Sequence, residues 1–217
     1  MRVGGLKMYS VKECYLTLQG EGAMTGRAAV FLRFSGCNLW NGLERDRAAA
    51  ICDFCDTDFI GTDGPGGGKF KTAEALARHI KTFWPADTNG TPYLVCTGGE
   101  PLLQLDDALI EAFKREGFEI AIETNGTLQA PKGLDWVCVS PKQNAELVQV
   151  SGDELKLVYP QDGMDPQKFA DLAFRHFYIQ PKDDCDSAQN IQSAIDYCKA
   201  HPNWRLSLQS HKLVGMP

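Results

Sequence analysis

The sequence predicts an α/β fold: an open or partial barrel of parallel strands with helices outside. Three observations predict it. Short β-rich runs alternate with amphipathic helical runs, and helices that connect strands in this way make the strands parallel. The strand-like runs number six or seven, too few for a closed eightfold barrel. The 217 residues are 43% hydrophobic and 23% charged, a globular balance that excludes wholesale disorder, collagen and coiled coil. A chain of this length with no internal repeat or low-complexity stretch reads as one domain, 1–217.

Taken in order, Val11–Leu18 is a candidate N-terminal strand and Ala29–Phe34 (AVFLRF) the first strong one. Thr62–Lys69 (TDGPGGGK) reads as a flexible loop, because neither flank is long enough to fold without the other. Thr72–Phe83 is helical, with Ala75, Leu76, His79, Ile80 and Phe83 on one face and Thr72 as N-cap. His79 on that face is a packed side chain rather than a catalytic one. Tyr93–Thr97 is a strand, and the helix Asp106–Arg115 opens on an acidic pair. Phe118–Glu123, Trp136–Ser140, Glu154–Tyr159 and Phe177–Gln180 are strands, Ser187–Ala200 is a helix capped by Ser187, and Arg205–Leu208 is the last strand. The final stretch, His211–Pro217, carries Leu213, Val214 and Met216, which suits a tail docked on the fold.

Apolar runs of five residues or fewer fall far short of the roughly 20 that cross a bilayer. The first fifteen residues lack a signal peptide's apolar core, so the expected location is the cytoplasm, with no membrane contact. A net charge of −6 with scattered Lys and Arg argues against direct nucleic-acid binding. Eight cysteines in a reducing compartment point to metal, redox or burial rather than to disulfides.

Cys37, Cys52 and Cys55 lie in one loop after the strand 29–34, spaced C-x14-C-x2-C. Three thiolates at a strand's C-terminal end can hold three irons of a 4Fe–4S cluster and leave the fourth open to a small ligand. Zinc would want a fourth ligand, and no His lies between residues 37 and 71. A thioredoxin-like Cys52–Cys55 pair would leave Cys37 without a role, and buried free thiols are the remaining alternative. Cys14, Cys96, Cys138 and Cys198 sit in apolar patterns and read as core, while Cys185 in DDCDS is an exposed bystander. Thr97-Gly98-Gly99-Glu100-Pro101 ends a strand. Its glycines let backbone approach a ligand, although such a turn alone is usually only a turn.

These motifs, together with Leu18-Gln19-Gly20-Glu21-Gly22, the run Phe31–Trp40, Cys52–Thr57, Glu123–Thr127, Ser140-Pro141-Lys142 and Gln180-Pro181, resemble the radical S-adenosylmethionine (SAM) superfamily. More closely, they resemble its 7-carboxy-7-deazaguanine synthases of queuosine biosynthesis. One departure stands out. The superfamily's usual C-x3-C-x2-C is opened here by eleven residues, and the insertion at about 38–51, with ERDRAAAI, suits a short helix.

The resemblance implies an open radical SAM barrel, and a lyase that contracts 6-carboxy-5,6,7,8-tetrahydropterin to 7-carboxy-7-deazaguanine with loss of ammonia. It implies a 4Fe–4S cluster on Cys37, Cys52 and Cys55, and Mg²⁺ with Thr57 as protein ligand, where the side chains alone suggest only a turn. For SAM it implies Gly99 at the methionine end with Gly98 and Glu100 close by, and Phe54 and Asp56 at the adenine. Ser140, Pro141, Lys142, Gln180, Pro181, Lys182 and Asp183 are implied around the ribose or carboxylate. For the pterin it implies Leu18, Gln19, Gly20, Glu21, Thr97, Glu123 and the Pro217 carboxylate, with Arg33 forked onto the substrate's own carboxylate. A flavodoxin or ferredoxin as electron donor and a homodimer are further implications. The competing readings are a radical SAM activase that places a glycyl radical on a partner protein, and a metal-stabilised binding protein with no activity.

Overall fold

The computed structural model describes residues 8–217, so the part of the leader expectation that rests on residues 1–7 lies outside it. The chain divides into two compact units. The first holds the residues up to Thr17, Ala28–Glu123 and Ala130–Asp135; the second holds Leu18–Arg27, Thr124–Gln129 and Trp136–Pro217.

In the first unit the strands β1 (Tyr9–Leu18), β2 (Ala28–Phe34), β3 (Gly68–Phe70), β4 (Tyr93–Gly98) and β5 (Glu119–Thr124) lie in the order β3-β1-β2-β4-β5. β2, β4 and β5 are parallel, with Phe34 beside Gly98 and Cys96 beside Ile122, whereas β3 is antiparallel to β1. Tyr93–Cys96 is buried throughout, as a strand covered on both faces must be. The helices α1 (Ala73–Lys81) and α2 (Asp107–Arg115) pack together and bury Leu76, Ile80, Leu109 and Phe113. Their caps are those expected: Thr72 accepts from the Ala75 N–H and Asp106 from the Leu109 N–H. His79 is indeed packed, bonding the Gly66 carbonyl at 2.8 Å between Phe70 and Phe83.

The stretch 62–69 corrects the sequence reading. It is strapped to β1 rather than loose: Cys14 donates to the Pro65 carbonyl at 2.7 Å, Gly64 donates to Lys12 at 3.0 Å, and its end becomes β3. Its glycines permit this contact. A Cβ at Gly67 would meet the Lys12 carbonyl oxygen at 2.3 Å, so close backbone approach and not mobility explains them.

In the second unit β6 (Trp136–Val139), β7 (Ser151–Tyr159), β8 (Ala173–Pro181) and β9 (Trp204–Leu206) are all parallel, in that order. The helix α3 (Ser187–Ala200) covers β8 and β9, and Leu155, Leu157, Phe174, Ile179, Ala194 and Trp204 form the core. Two expectations need correcting here. Asp186, not Ser187, is the cap residue of α3, and its side chain makes no cap bond. The tail forms a short helix, α4 (Ser210–Val214), but Leu213 and Val214 are 71% and 68% exposed. What docks the tail is polar: Ser210 bonds the Gly20 carbonyl through both N–H and hydroxyl, at 3.0 and 2.8 Å. Cys14, Cys96 and Cys138 are core as expected, Cys198 is only half-buried, and Cys185 is exposed.

Taken over the described residues, the architecture is α/β, and each unit carries a sheet of mostly parallel strands. No helix is long and apolar enough to cross a membrane.

Candidate active site

The cysteine loop leaves β2 and is built by its own backbone and by the insertion. Gly36, at φ +89°, turns the chain out of the strand, and Cys37 follows half-buried. The Leu39 N–H lies 3.4 Å from Cys37 Sγ. Burial pushes the Cys37 thiol up, against the pull of the Leu39 and Trp40 N–H groups toward thiolate. The Leu39 carbonyl receives Ile51 and Cys52, which closes the insertion into a compact knot. Its middle is a 3-10 helix, Glu44–Ala49, where the sequence suggested a short helix. Arg47 from that helix reaches the Asp53 and Cys55 carbonyls, both at 2.9 Å, and stacks over Trp40 at 4.1 Å. Trp40 in turn meets the edge of Phe59. Phe54 and Thr57 are half-buried and Asp56 is exposed, while Asp58 pairs with Lys12 on β1 at 2.8 Å.

Among the described residues, the group whose ligand atoms fall within 4.8 Å of one another is Asp184, Cys185 and Asp186, all exposed. The three loop cysteines converge less tightly than one zinc ion needs, with bonds of ~2.3 Å to each sulfur. Thiols set this far apart, with Cys37 accepting the Leu39 N–H, suit a cluster that assigns one sulfur to each of three irons.

At the end of β4 the TGGE turn presses on this loop. A Cβ on Gly99 would sit 2.3 Å from the Gly36 carbonyl oxygen and 2.7 Å from Cys37 Cβ, and Glu100 donates its N–H to Gly36 at 2.9 Å. Gly98, at φ +157°, packs on the backbone of Phe34. Glu100 is 0% exposed and caps the Leu102 N–H at 2.9 Å, so its visible work is to fix the turn. Arg33 and Thr97 are register partners on β2 and β4, and Glu123 lies one position past the Cys96–Ile122 pair. Burial alone would lower the Arg33 guanidinium, but Glu13 at 2.7 Å and Tyr15 raise it, so its charge is locked.

The second unit brings the remaining predicted residues to strand ends. Lys142 Nζ bonds both the carbonyl and the hydroxyl of Ser140 at 2.7 Å, and Gln161 braces the Ser140-Pro141-Lys142 loop through Gln143 and Pro141. Gln180, buried at the end of β8, accepts from Ser207, which also receives the Gly22 N–H. Lys182 pairs with Asp184, Asp183 with Lys212, and buried Asn190 of α3 ties the Lys182 carbonyl to Asp184.

The turn Gln19–Ala23 is held by two charges on one face of β7. Lys156 meets Glu21 at 2.5 Å, with both side chains nearly buried, and Glu154 receives the Ala23 N–H at 3.0 Å. Burial would raise the Glu21 carboxyl, but Lys156 first and Gln209 next hold it down to about 2. Of the tail, Pro217 is exposed and Met216 bonds back to His211.

The Radical SAM superfamily profile matches residues 47–148. The chain is 60% identical over 209 residues to the 7-carboxy-7-deazaguanine synthase of Caulobacter vibrioides, covering 96% of this chain and 99% of that protein. The chain belongs to the 7-carboxy-7-deazaguanine synthase family. The synthase of Bordetella pertussis is 59% identical, with the same coverage. The crystal structure of QueE from Escherichia coli superposes with a TM-score of 0.68 at 27% identity, covering 94% of this chain and 95% of that one. Membership of this radical SAM family implies a 4Fe–4S cluster and SAM.

Four bracing residues escaped the sequence reading: Arg47 behind the cysteine loop of the first unit, and Glu154, Lys156 and Gln161 in the second. One signal was available, the alternation of Glu154 and Lys156 with Leu155 and Leu157, which marks a charged face on a buried strand. Arg47 and Gln161 are recognisable only from their partners.

Proposed function

We propose that this chain is a lyase that converts 6-carboxy-5,6,7,8-tetrahydropterin to 7-carboxy-7-deazaguanine with loss of ammonia. The observation that carries this reading is near full-length identity of 60% to a protein named for that product. The compared relatives carry the synthase name, and the glycyl-radical activase has no support among them.

Cys37, Cys52 and Cys55 are the ligands of the cluster. Bound there with SAM, the cluster supplies the single electron that makes SAM a hydrogen-abstracting reagent. Gly98 and Gly99 keep side-chain bulk away from the ligand's methionine end, with Glu100 holding the turn. Phe54 and Asp56 line the adenine side. Ser140, Pro141 and Lys142, with Gln180, Pro181, Lys182 and Asp183, orient the polar groups of SAM. Thr97, Glu123 and the turn Leu18–Glu21 offer acceptors to the donor edge of the pterin, helped by Pro217 at the tail. Arg33 spends Nε on Glu13 and one Nη2 hydrogen on the Tyr15 hydroxyl, and its remaining N–H groups serve the substrate carboxylate. Mg²⁺ on Thr57, a homodimer, a small flavin or iron–sulfur protein as electron donor, and one functional domain over 1–217 belong to the same proposal.

The test is anaerobic turnover with the carboxypterin, SAM and a reductant, following product and ammonia. Product formation in the wild type and none in Cys37→Ala supports the reading. SAM cleavage without pterin conversion refutes the substrate.

A further inference from the structure

We propose that Arg47, from the inserted segment, is a positioning residue for the cluster: it holds the Cys52–Cys55 turn in ligating shape and fixes a positive charge beside it. The inference rests on the ligand assignment above.

All three nitrogens and the face of this guanidinium are engaged. Nε and Nη2 form a two-pronged pair with Glu44 at 2.8 and 2.5 Å. Nη1 donates to the carbonyls of Asp53 and Cys55, which bracket the second half of the C-x2-C segment, and the ring of Trp40 lies under the cation. An ordinary exposed ion pair explains little of this. Glu44 is 76% exposed and such pairs are weak, yet the arginine is only 29% exposed and faces inward to backbone. Two carbonyls of a short turn turned toward one cation leave the turn few other conformations. Lysine cannot replace this set: a point charge has neither the planar fork nor the flat face for stacking. Partners behind metal ligands commonly govern retention by about 10- to 100-fold. A fixed cation near the ligated turn also favours the reduced, more negative cluster, which raises its midpoint potential.

The experiment uses reconstituted full-length protein and compares wild type with Arg47→Gln, Arg47→Lys and Glu44→Gln. It measures iron per chain, the rate of iron loss to a chelator, and the midpoint potential. Arg47→Gln is expected to lose iron at least about tenfold faster and to show a more negative potential in the loaded fraction. Arg47→Lys should keep a potential near wild type while losing iron faster than wild type, and Glu44→Gln should show a smaller loss. Circular dichroism of the apoproteins separates these effects from misfolding. If Arg47→Gln folds poorly, Arg47→Lys with wild-type chelator resistance overturns the positioning role by itself. Wild-type retention and potential in Arg47→Gln overturn the proposal outright. Cys52→Ala and Cys55→Ala run in parallel. A cluster surviving in them defeats the ligand assignment, whereas its loss there with an indifferent Arg47→Gln defeats this inference alone.

Discussion

Lys156 and Glu21 show how much one pair can decide. A carboxylate and an ammonium this buried cost a great deal to desolvate, and they persist because each satisfies the other. Removing one partner leaves the other stranded. Lys156→Met is therefore expected to destabilise the protein by about 3–5 kcal/mol, read by urea unfolding at neutral pH. The pH dependence has a definite sign. Glu21 is depressed to about 2 from an ordinary 4.5, so its contribution is complete above about pH 5 and is lost as the pH falls toward 2. Wild type should lose stability across that window more steeply than Lys156→Met does. Equal slopes would show that the pair does not govern acid stability. The cysteines divide in a similar way. Cys96→Ala should cost packing alone, about 1 kcal/mol, with iron content intact, whereas Cys37→Ala should leave no SAM-responsive cluster spectrum.

The strands and turns work through backbone contacts that tolerate no side chain. The ends of β2 and β4 meet at Gly36 and Gly99, where a Cβ would lie 2.3 Å from a carbonyl oxygen that has no rotamer to escape into. Gly99→Ala should displace the Cys37 turn, so lower iron content and weaker SAM binding are expected by reconstitution and equilibrium dialysis. Unchanged SAM affinity would free Gly99 from the site. Gly67→Ala meets the same obstacle at Lys12 and should loosen the strap on β1, visible as faster proteolysis within 62–70. The strands were legible because alternation and buried runs write their period into the sequence. β3 was not, since three residues after a glycine run carry no period and gain their strand character only from β1.

For the molecule as a whole, the cysteine loop, the TGGE turn and the Ser140–Lys142 and Gln180–Asp183 ends were all readable, because motif residues cluster where strands stop. The braces behind them were not. Lys156, Gln161 and Arg47 owe their importance to partners 135, 18 and 8 residues away, and spacing along the chain cannot reveal such pairs. The tail shows the opposite error. Its apolar composition suggested burial, but a single turn of helix bonded through Ser210 leaves Leu213 and Val214 in water. Deleting Met216 and Pro217 is expected to raise the KM for the pterin by about 10- to 150-fold, with iron content and SAM affinity unchanged, if the tail supplies a charge-assisted bond. A native KM in the shortened chain would shift recognition to Glu21 and Glu123.

Trp40 offers something separate from catalysis. Its indole is nearly buried under the Arg47 guanidinium, against Phe59 and three residues beyond the first cysteine. On the proposed ligand assignment an iron–sulfur chromophore would assemble in that loop and absorb where indole emits, which would give the protein its own optical gauge of loading. Emission should fall as iron and sulfide are added anaerobically, and Trp40→Phe should remove the largest share of that fall, leaving Trp84, Trp136 and Trp204 to report the remainder. Loading could then be followed in real time, without a label and without turnover.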